Sequence, residues 1–188
     1  MLAAGTGAEG SMLKLLKLLF YLVVTVAIII VGGSFLLPGK VAVSRSIEIA
    51  SPPDKVFAIV SDLHRFQEFS PWAELDPATK YTFEGPATGI GQKMSWMSDN
   101  RQVGTGSQTV IEYEPPKHVT YALDFNMMGD SIARWDLEPS GTGTKATWSF
   151  ETKLTGIAGR WFGLMFDKWI GADYEKGLAK LKVVAEKP

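Results

Sequence analysis

The chain has 188 residues, 46% of them hydrophobic and 21% charged, and its 19 basic and 20 acidic residues leave a net charge of −1. This length allows one domain with an appendage, and the near-neutral charge argues against nucleic-acid binding, which needs a concentrated basic face. The chain contains no cysteine, which excludes disulfides, thiolate nucleophiles and cysteine-held metal centres.

Residues 18–37 form the first recognisable element, a run of twenty uncharged and mostly apolar residues. As a helix this run is about 30 Å long, which matches the hydrocarbon thickness of a bilayer. A buried core helix would carry polar residues on each turn, and a cleavable signal peptide would have an apolar core of about 7–15 residues followed by an A-x-A site. Here the run is longer, and only Gly32-Gly33-Ser34 offers small residues. The segment therefore predicts a retained single-pass anchor.

The flanks of this segment predict its orientation. Residues 1–17 form a short N-terminal flank that carries Lys14 and Lys17 close to the span. Under the positive-inside rule these lysines place the N-terminus in the cytoplasm. The domain that follows the 38–40 linker would then be periplasmic or extracytoplasmic. Met12 begins a more natural basic n-region, so a later start is an alternative.

The soluble part, residues 41–188, begins with a strand and two short helices. Lys40–Ala50 alternates between apolar and polar residues, which predicts a half-buried strand. Ser51 is predicted to cap a short helix whose first turn carries proline and an acidic residue. A second short helix is predicted over Asp62–Phe69.

Six further strands are predicted, each bounded by turn residues. They are Tyr81–Glu84, Gln92–Ser98, Gln102–Tyr113, Val119–Met127, Ile132–Glu138 and Thr144–Thr152. In the last three strands one face is apolar and aromatic, whereas the other holds Thr, Asp, Asn, Arg, Glu and Lys. This pattern indicates an antiparallel meander with one wet face.

Apolar residues return to helical spacing over residues 157–185, which predicts a long C-terminal helix. The fold class predicted is α+β, with a seven-stranded antiparallel sheet around this helix and a transmembrane helix at the N-terminus. We expect Trp135, Trp148 and Met165 to be buried between sheet and helix. The stretch from Ile157 to Ile170 is apolar nearly all round, so its surplus rings are predicted to touch lipid or border a cavity mouth.

Four short motifs lie in the first part of the soluble segment. They are Ala50-Ser51-Pro52-Pro53-Asp54-Lys55-Val56-Phe57, Asp62-Leu63, Phe69-Ser70-Pro71-Trp72 and Leu75-Asp76. With the order of the elements, they resemble the polyketide cyclase/dehydrase group of the START-like (SRPBCC) superfamily over Val41 to Ala185, although Phe69 replaces the usual tryptophan. The resemblance implies a helix-grip fold whose cavity binds apolar or amphipathic small molecules. It supplies no universal catalytic motif.

The candidate ligand-binding residues are large or cavity-facing side chains on the predicted apolar face. They are Trp72, Trp96, Tyr121, Phe125, Ala133, Trp135, Trp148, Trp161 and Met165. The alternative is that these side chains fill an ordinary core. No catalytic residue is predicted, and no metal site, because His64 and His118 are far apart in the sequence and lack an acidic companion at ligand spacing.

The favoured hypothesis is a membrane-anchored module that binds a hydrophobic or amphipathic small molecule, lipid or polyketide-like, without a cofactor. One alternative is a cyclase/dehydrase-type enzyme, with Tyr121 and Arg134 as the first candidates for proton transfer, although Arg134 is predicted on the polar face. A second alternative is a protein-interaction module with a filled cavity. The sequence makes no prediction of oligomeric state.

Overall fold

The computed structural model describes residues 6–125 and 130–188. The predicted end of the fifth strand at Met127 and the first five residues of the N-terminal flank lie outside the described residues. The helices are α1 (Thr6–Ser34), α2 (Pro53–Val60), a 3₁₀ helix (Leu63–Glu68) and α3 (Gly156–Ala185). The strands are β1 (Lys40–Ile49), β2 (Lys80–Glu84), β3 (Lys93–Met97), β4 (Thr105–Glu114), β5 (His118–Asp124), β6 (Ser131–Ser140) and β7 (Gly143–Lys153).

The seven strands form one antiparallel sheet in the order β1-β7-β6-β5-β4-β3-β2. Each strand after β1 pairs with its neighbour in sequence, and β7 closes back onto β1, as expected for strands joined by short turns. The long helix α3 lies on the inner face of this sheet, chiefly along the edge strand β1. The predicted α+β helix-grip architecture is confirmed.

The alternation of side chains predicted for the late strands places the core on the inner face of the sheet. Trp135 and Trp148 are 2% and 3% exposed. Met165, in contrast, is 39% exposed, so its predicted burial is wrong. Met165 lies two positions after the buried Gly163, about 200° around the helix, which turns its side chain away from the sheet.

Two glycines allow α3 to approach the sheet closely. A Cβ atom on Gly177 would lie 2.7 Å from the ring of Trp148, and one on Gly171 would lie 2.1 Å from the guanidinium of Arg45. Arg45 itself projects from β1 to α3, where its Nε donates to Glu175 at 2.8 Å and its Nη1 to Asp167 at 3.0 Å. These contacts set where the helix crosses the sheet.

The start of α2 differs from the prediction. The residue that caps the helix is Pro52, and no side chain forms a capping hydrogen bond. Ser51 is buried, and its carbonyl accepts a hydrogen bond from the Thr144 hydroxyl at 2.7 Å. Ser51 therefore joins α2 to the sheet instead of capping the helix.

Helix α1 ends at Ser34, three residues before the predicted end of the span. The amides of the next two residues, Phe35 and Leu36, donate to the carbonyls of Gly32 and Gly33. Pro38 follows and cannot continue the ladder, because it has no amide hydrogen and restricts the residue before it. The segment Ser11–Ser34 contains an 18-residue stretch with a mean hydropathy of 2.6 and no buried residue, so the helix is long and apolar enough to cross a membrane.

Candidate ligand-binding cavity

A cavity of about 310 Å³ lies between α3 and the inner face of the sheet. Helix α3 packs chiefly along β1, at one edge of the sheet, so it leaves the inner face of the middle strands uncovered. The segment after the 3₁₀ helix closes one side of this space with Ser70 and Trp72. The space is therefore bordered by three separate parts of the chain.

One wall of the cavity is an aromatic stack that joins the sheet to α3. Trp135 and Trp148 are cross-strand partners whose ring centroids are 4.6 Å apart, and Trp148 stacks in turn on Tyr174 of α3 at 3.9 Å. The edge of Trp72 meets Trp148 at 6.0 Å. Trp148 and Tyr174 border the cavity, whereas Trp135 lies behind them.

The opposite wall of the cavity contains Trp96, which lies against a glycine of the neighbouring strand. Trp96 on β3 pairs with Gly106 on β4, and a Cβ on Gly106 would lie 2.6 Å from the Trp96 ring. The Trp96 indole nitrogen donates to the Val103 carbonyl at 3.3 Å, and the ring meets Phe125 edge to face at 5.9 Å. Gly106 thus provides the space in which Trp96 lies flat along the sheet.

Polar residues are a minority of those that border this space. The side-chain amide nitrogen of Gln108 and the indole nitrogen of Trp148 are buried without a hydrogen-bond partner in the described part of the chain. Burial raises the pKa of the Tyr174 hydroxyl, so this group stays neutral at physiological pH. Asp173, with Lys176 at 3.7 Å, is the one carboxylate among the described residues that line the cavity.

Five of the nine side chains predicted as ligand contacts line the cavity, and as ligand contacts they remain a prediction. They are Trp72, Trp96, Phe125, Ala133 and Trp148.

The other four predicted residues lie elsewhere. Tyr121 is buried and its hydroxyl donates to the Val60 carbonyl, which turns it toward α2. Trp135 is covered by Trp148 and Phe69. Trp161 and Met165 are exposed on the first half of α3, where the Trp161 indole nitrogen donates to the Ile30 carbonyl of α1 at 3.0 Å. These four side chains therefore do not line the cavity, and as ligand contacts they too stay predictions.

The sequence analysis missed several polar residues of the cavity wall, among them Gln108 and Tyr174. Gln108 alternates with Gly106 and Val110, and all three are buried. The strand parity was therefore available in the sequence, but faces were predicted only for the last three strands. Tyr174 lies four positions before the buried Leu178 on the same face of α3.

The two residues considered for proton transfer do not offer free groups to the cavity. Arg134 lies on the outer face of β6, where its Nε donates to Asp136 at 2.8 Å and its Nη1 to Glu112 at 3.4 Å. The Tyr121 hydroxyl donates a hydrogen bond to the Val60 carbonyl, and burial raises the pKa of this hydroxyl. Within residues 6–125 and 130–188, no three His, Asp or Glu side chains come close enough to hold a metal ion.

The sequence matches a known protein family. The family model described as "Polyketide cyclase / dehydrase and lipid transport" matches residues 40–186. A comparison with curated proteins finds no match to this sequence.

Several solved structures share this fold. Protein CV1439 from Chromobacterium violaceum is 16% identical, with a TM-score of 0.57 over 80% of this chain and all of that one. The KanY protein is 23% identical, with the same TM-score and the same coverage. The di-domain ARO/CYC StfQ from the steffimycin biosynthetic pathway is 14% identical, with a TM-score of 0.58 over 78% of this chain and 51% of that protein. At these identities the likeness shows the fold alone.

Proposed function

Because the chain belongs to the polyketide cyclase/dehydrase and lipid transport family, we propose that it is a membrane-anchored module that binds a hydrophobic or amphipathic small molecule between the sheet and α3. The observation that carries this proposal is the cavity of about 310 Å³ with its aromatic walls. Small-molecule sites are concave and mostly apolar, with volumes of about 300–1,000 Å³. An open interior also favours binding over the interaction-module alternative, which needs a filled one.

A cyclase/dehydrase-type reaction is the alternative that the family description supplies. Proton transfer in such a reaction needs an acid or base within hydrogen-bond reach of the bound molecule. Tyr121 and Arg134 are bonded elsewhere, and Asp173 is paired with Lys176. These contacts favour a binding role.

Uptake of an apolar fluorophore tests the proposal. A chain that lacks residues 1–39 is expected to fold. The contacts of α1 with the domain are made with the start of α3, through Arg160 and Trp161, and not with the core between sheet and helix. We expect it to take up one equivalent of Nile red per chain, since the cavity removes apolar ligand surface from water at about 25 cal/mol per Å². Fluorescence titration measures the stoichiometry, and native mass spectrometry detects co-purified lipid. A folded domain that binds no fluorophore would instead support the filled interaction module.

We also propose that α1 anchors the protein in a membrane with its N-terminus in the cytoplasm. Large apolar side chains are exposed on all sides of this helix, which suits a lipid environment and not water. Lys14 and Lys17 lie in its N-terminal part, just before the uncharged residues 18–37, on the side that the positive-inside rule assigns to the cytoplasm.

Alkaline carbonate extraction of membranes tests the anchor. We expect the full-length chain to stay in the membrane pellet, because about twenty apolar residues of α1 would lose their lipid contacts on release. The chain that lacks residues 1–39 is the matched control and is expected in the supernatant. Release of the full-length chain, or a mature protein that lacks residues 18–37, would contradict the anchor.

A further inference from the structure

The two halves of α3 differ in what they bury. In residues 156–172 the buried positions are two glycines, Gly163 and Gly171, so no large side chain of this half is fully buried. The second half packs into the core through large side chains such as Tyr174 and Leu178. Six large apolar side chains of the first half are instead 37% to 58% exposed, namely Ile157, Trp161, Phe162, Leu164, Met165 and Trp169.

These six side chains, which we call the outer face of α3, point in similar directions away from the sheet. At about 100° per residue they lie between roughly 100° and 260° around the axis from the buried Gly163, and Lys168 is the one charged residue in that sector. About five turns further along α3 the same directions carry charged residues. They are Glu175, Lys180 and Lys182, eighteen residues after Ile157, Phe162 and Leu164. The apolar outer face is therefore confined to the half of α3 that contacts α1.

The start of α3 is bonded to the end of α1. Arg160 Nη1 donates to the Ser34 carbonyl at 3.0 Å, and the Trp161 indole nitrogen donates to the Ile30 carbonyl at 3.0 Å. The Trp161 ring also lies against Gly33, where a Cβ atom would be 3.0 Å from it. Ile30 precedes the last residue of α1 by four positions, about 6 Å along the helix axis. Trp161 therefore lies beside the last turn of the apolar segment, where an anchored α1 would leave the membrane.

The composition and position of the outer face fit a lipid surface. Tryptophan favours the boundary between membrane and water, and the long stem of Lys168 can lie along apolar surface while its ammonium group reaches the headgroups. Phe35 and Leu36, which are 75% and 88% exposed, continue the apolar surface from the end of α1. Exposed apolar patches of this kind are contact surfaces, and the bonds to α1 hold this one beside the bilayer.

We propose that the outer face of α3 lies in the headgroup and upper acyl-chain region of the leaflet next to the domain, as a second membrane contact beside α1. This proposal rests on the proposed membrane anchor and specifies how the domain is held against the bilayer. Trp169 belongs to the outer face and also borders the cavity. The contact therefore places one side of the cavity at the lipid, and an apolar ligand would pass between the two with little exposure to water.

Fluorescence quenching of single labels measures the depth of each position in the membrane. The chain has no cysteine, so Met165→Cys and Trp169→Cys each take one nitrobenzoxadiazole label. The full-length variants are placed in phospholipid nanodiscs that hold one chain each, with lipids spin-labelled in the headgroup or upper acyl chain. We expect both labels to be quenched, at a depth of about 5–10 Å. The matched control is Val183→Cys, eighteen residues after Met165 in the same direction and 63% exposed, whose label should be quenched only by aqueous iodide.

A label at Ile28→Cys, on an exposed position of α1, separates this proposal from the anchor. If the spin-labelled lipids do not quench the Ile28 label, the anchor itself fails. If they quench it while iodide quenches the Met165 label, the domain is held away from the bilayer and the proposal is overturned. A Met165 label that neither lipid nor iodide quenches would mean that protein covers the outer face, which also overturns it. Iodide quenching of the Trp169 label alone would overturn the placement of the cavity at the lipid.

A charge on the outer face gives an independent readout. Phe162 is 58% exposed, so Phe162→Asp should leave the fold intact, which circular dichroism checks. In the membrane the added carboxylate is costly to bury, and we expect the Met165 label to become shallower and open to iodide. Val183→Asp, in the charged half of α3, should leave the depth of the Met165 label unchanged. An unchanged depth in Phe162→Asp would overturn the proposal.

Discussion

Replacing Trp148 with alanine is expected to reduce the free energy of unfolding of the soluble domain by about 3–5 kcal/mol. Trp148 is 3% exposed and stacks between Trp135 at 4.6 Å and Tyr174 at 3.9 Å. The indole therefore joins the sheet to α3. Its removal would leave a void on one side of the stack and join that void to the cavity, where no side chain can move in to close it.

Urea denaturation of the domain that begins at Lys40 measures this loss. Trp169→Ala is the matched control, because Trp169 is 49% exposed on α3 and its truncation should cost less than about 1 kcal/mol. A cost for Trp148→Ala that is as small as the control would contradict the burial of Trp148. It would also reverse the assignment of inner and outer faces on β7.

Filling the cavity with Ala133→Trp is expected to lower Nile red affinity by at least about tenfold while the domain stays folded. Ala133 is buried on the inner face of β6, between Tyr121 on β5 and Phe150 on β7, and it borders the cavity. A tryptophan side chain at this position would project into the open volume instead of into packed neighbours. The space that a ligand needs would be lost without overpacking the core.

The control for this variant is the same substitution on the opposite face of the sheet. Ala122 on β5 is adjacent in sequence to the inward-facing Tyr121, so its side chain points outward. Ala122→Trp should bind Nile red as the parent does. Unchanged uptake by Ala133→Trp would place the ligand elsewhere, and circular dichroism of both variants checks that the fold is retained.

The strand parity of the late strands was predictable, because alternation is a local property of an extended chain. Val119, Tyr121, Ala133, Trp135 and Trp148 were all placed on the inner face, and all are buried. The order of the elements was also predictable from local sequence, because turn residues separate successive strands. The family resemblance added the helix-grip arrangement, which the family match over residues 40–186 confirms.

The first half of α3 was not predictable in the same way. Between Ile157 and Ile170 nearly every residue is apolar, so periodicity does not reveal which face meets the sheet. Trp161 was assigned to the cavity, but its indole nitrogen bonds the Ile30 carbonyl of α1. Its position depends on where α1 ends, which is a contact between segments more than a hundred residues apart.

The local sequence pattern also did not reveal which inward-facing side chains border the cavity and which are covered by other side chains. Trp135 and Trp148 share one face and are paired across two strands, yet Trp148 borders the cavity and Trp135 lies behind it. Gln108 also faces inward on β4, a strand for which no inner face was predicted. Whether such a residue fills the core or lines a cavity depends on how much of the sheet the helix covers.

Local sequence was thus sufficient for the identity of the elements and for the inward face of most strands, because backbone geometry repeats every two residues in a strand. The position of the cavity depended on the crossing of α3 over β1, which follows from contacts between distant residues. Arg45 bonds Asp167 and Glu175 across that crossing, and Gly177 gives Trp148 room against the helix. These contacts keep α3 at one edge of the sheet, and the uncovered inner face beside it becomes the cavity.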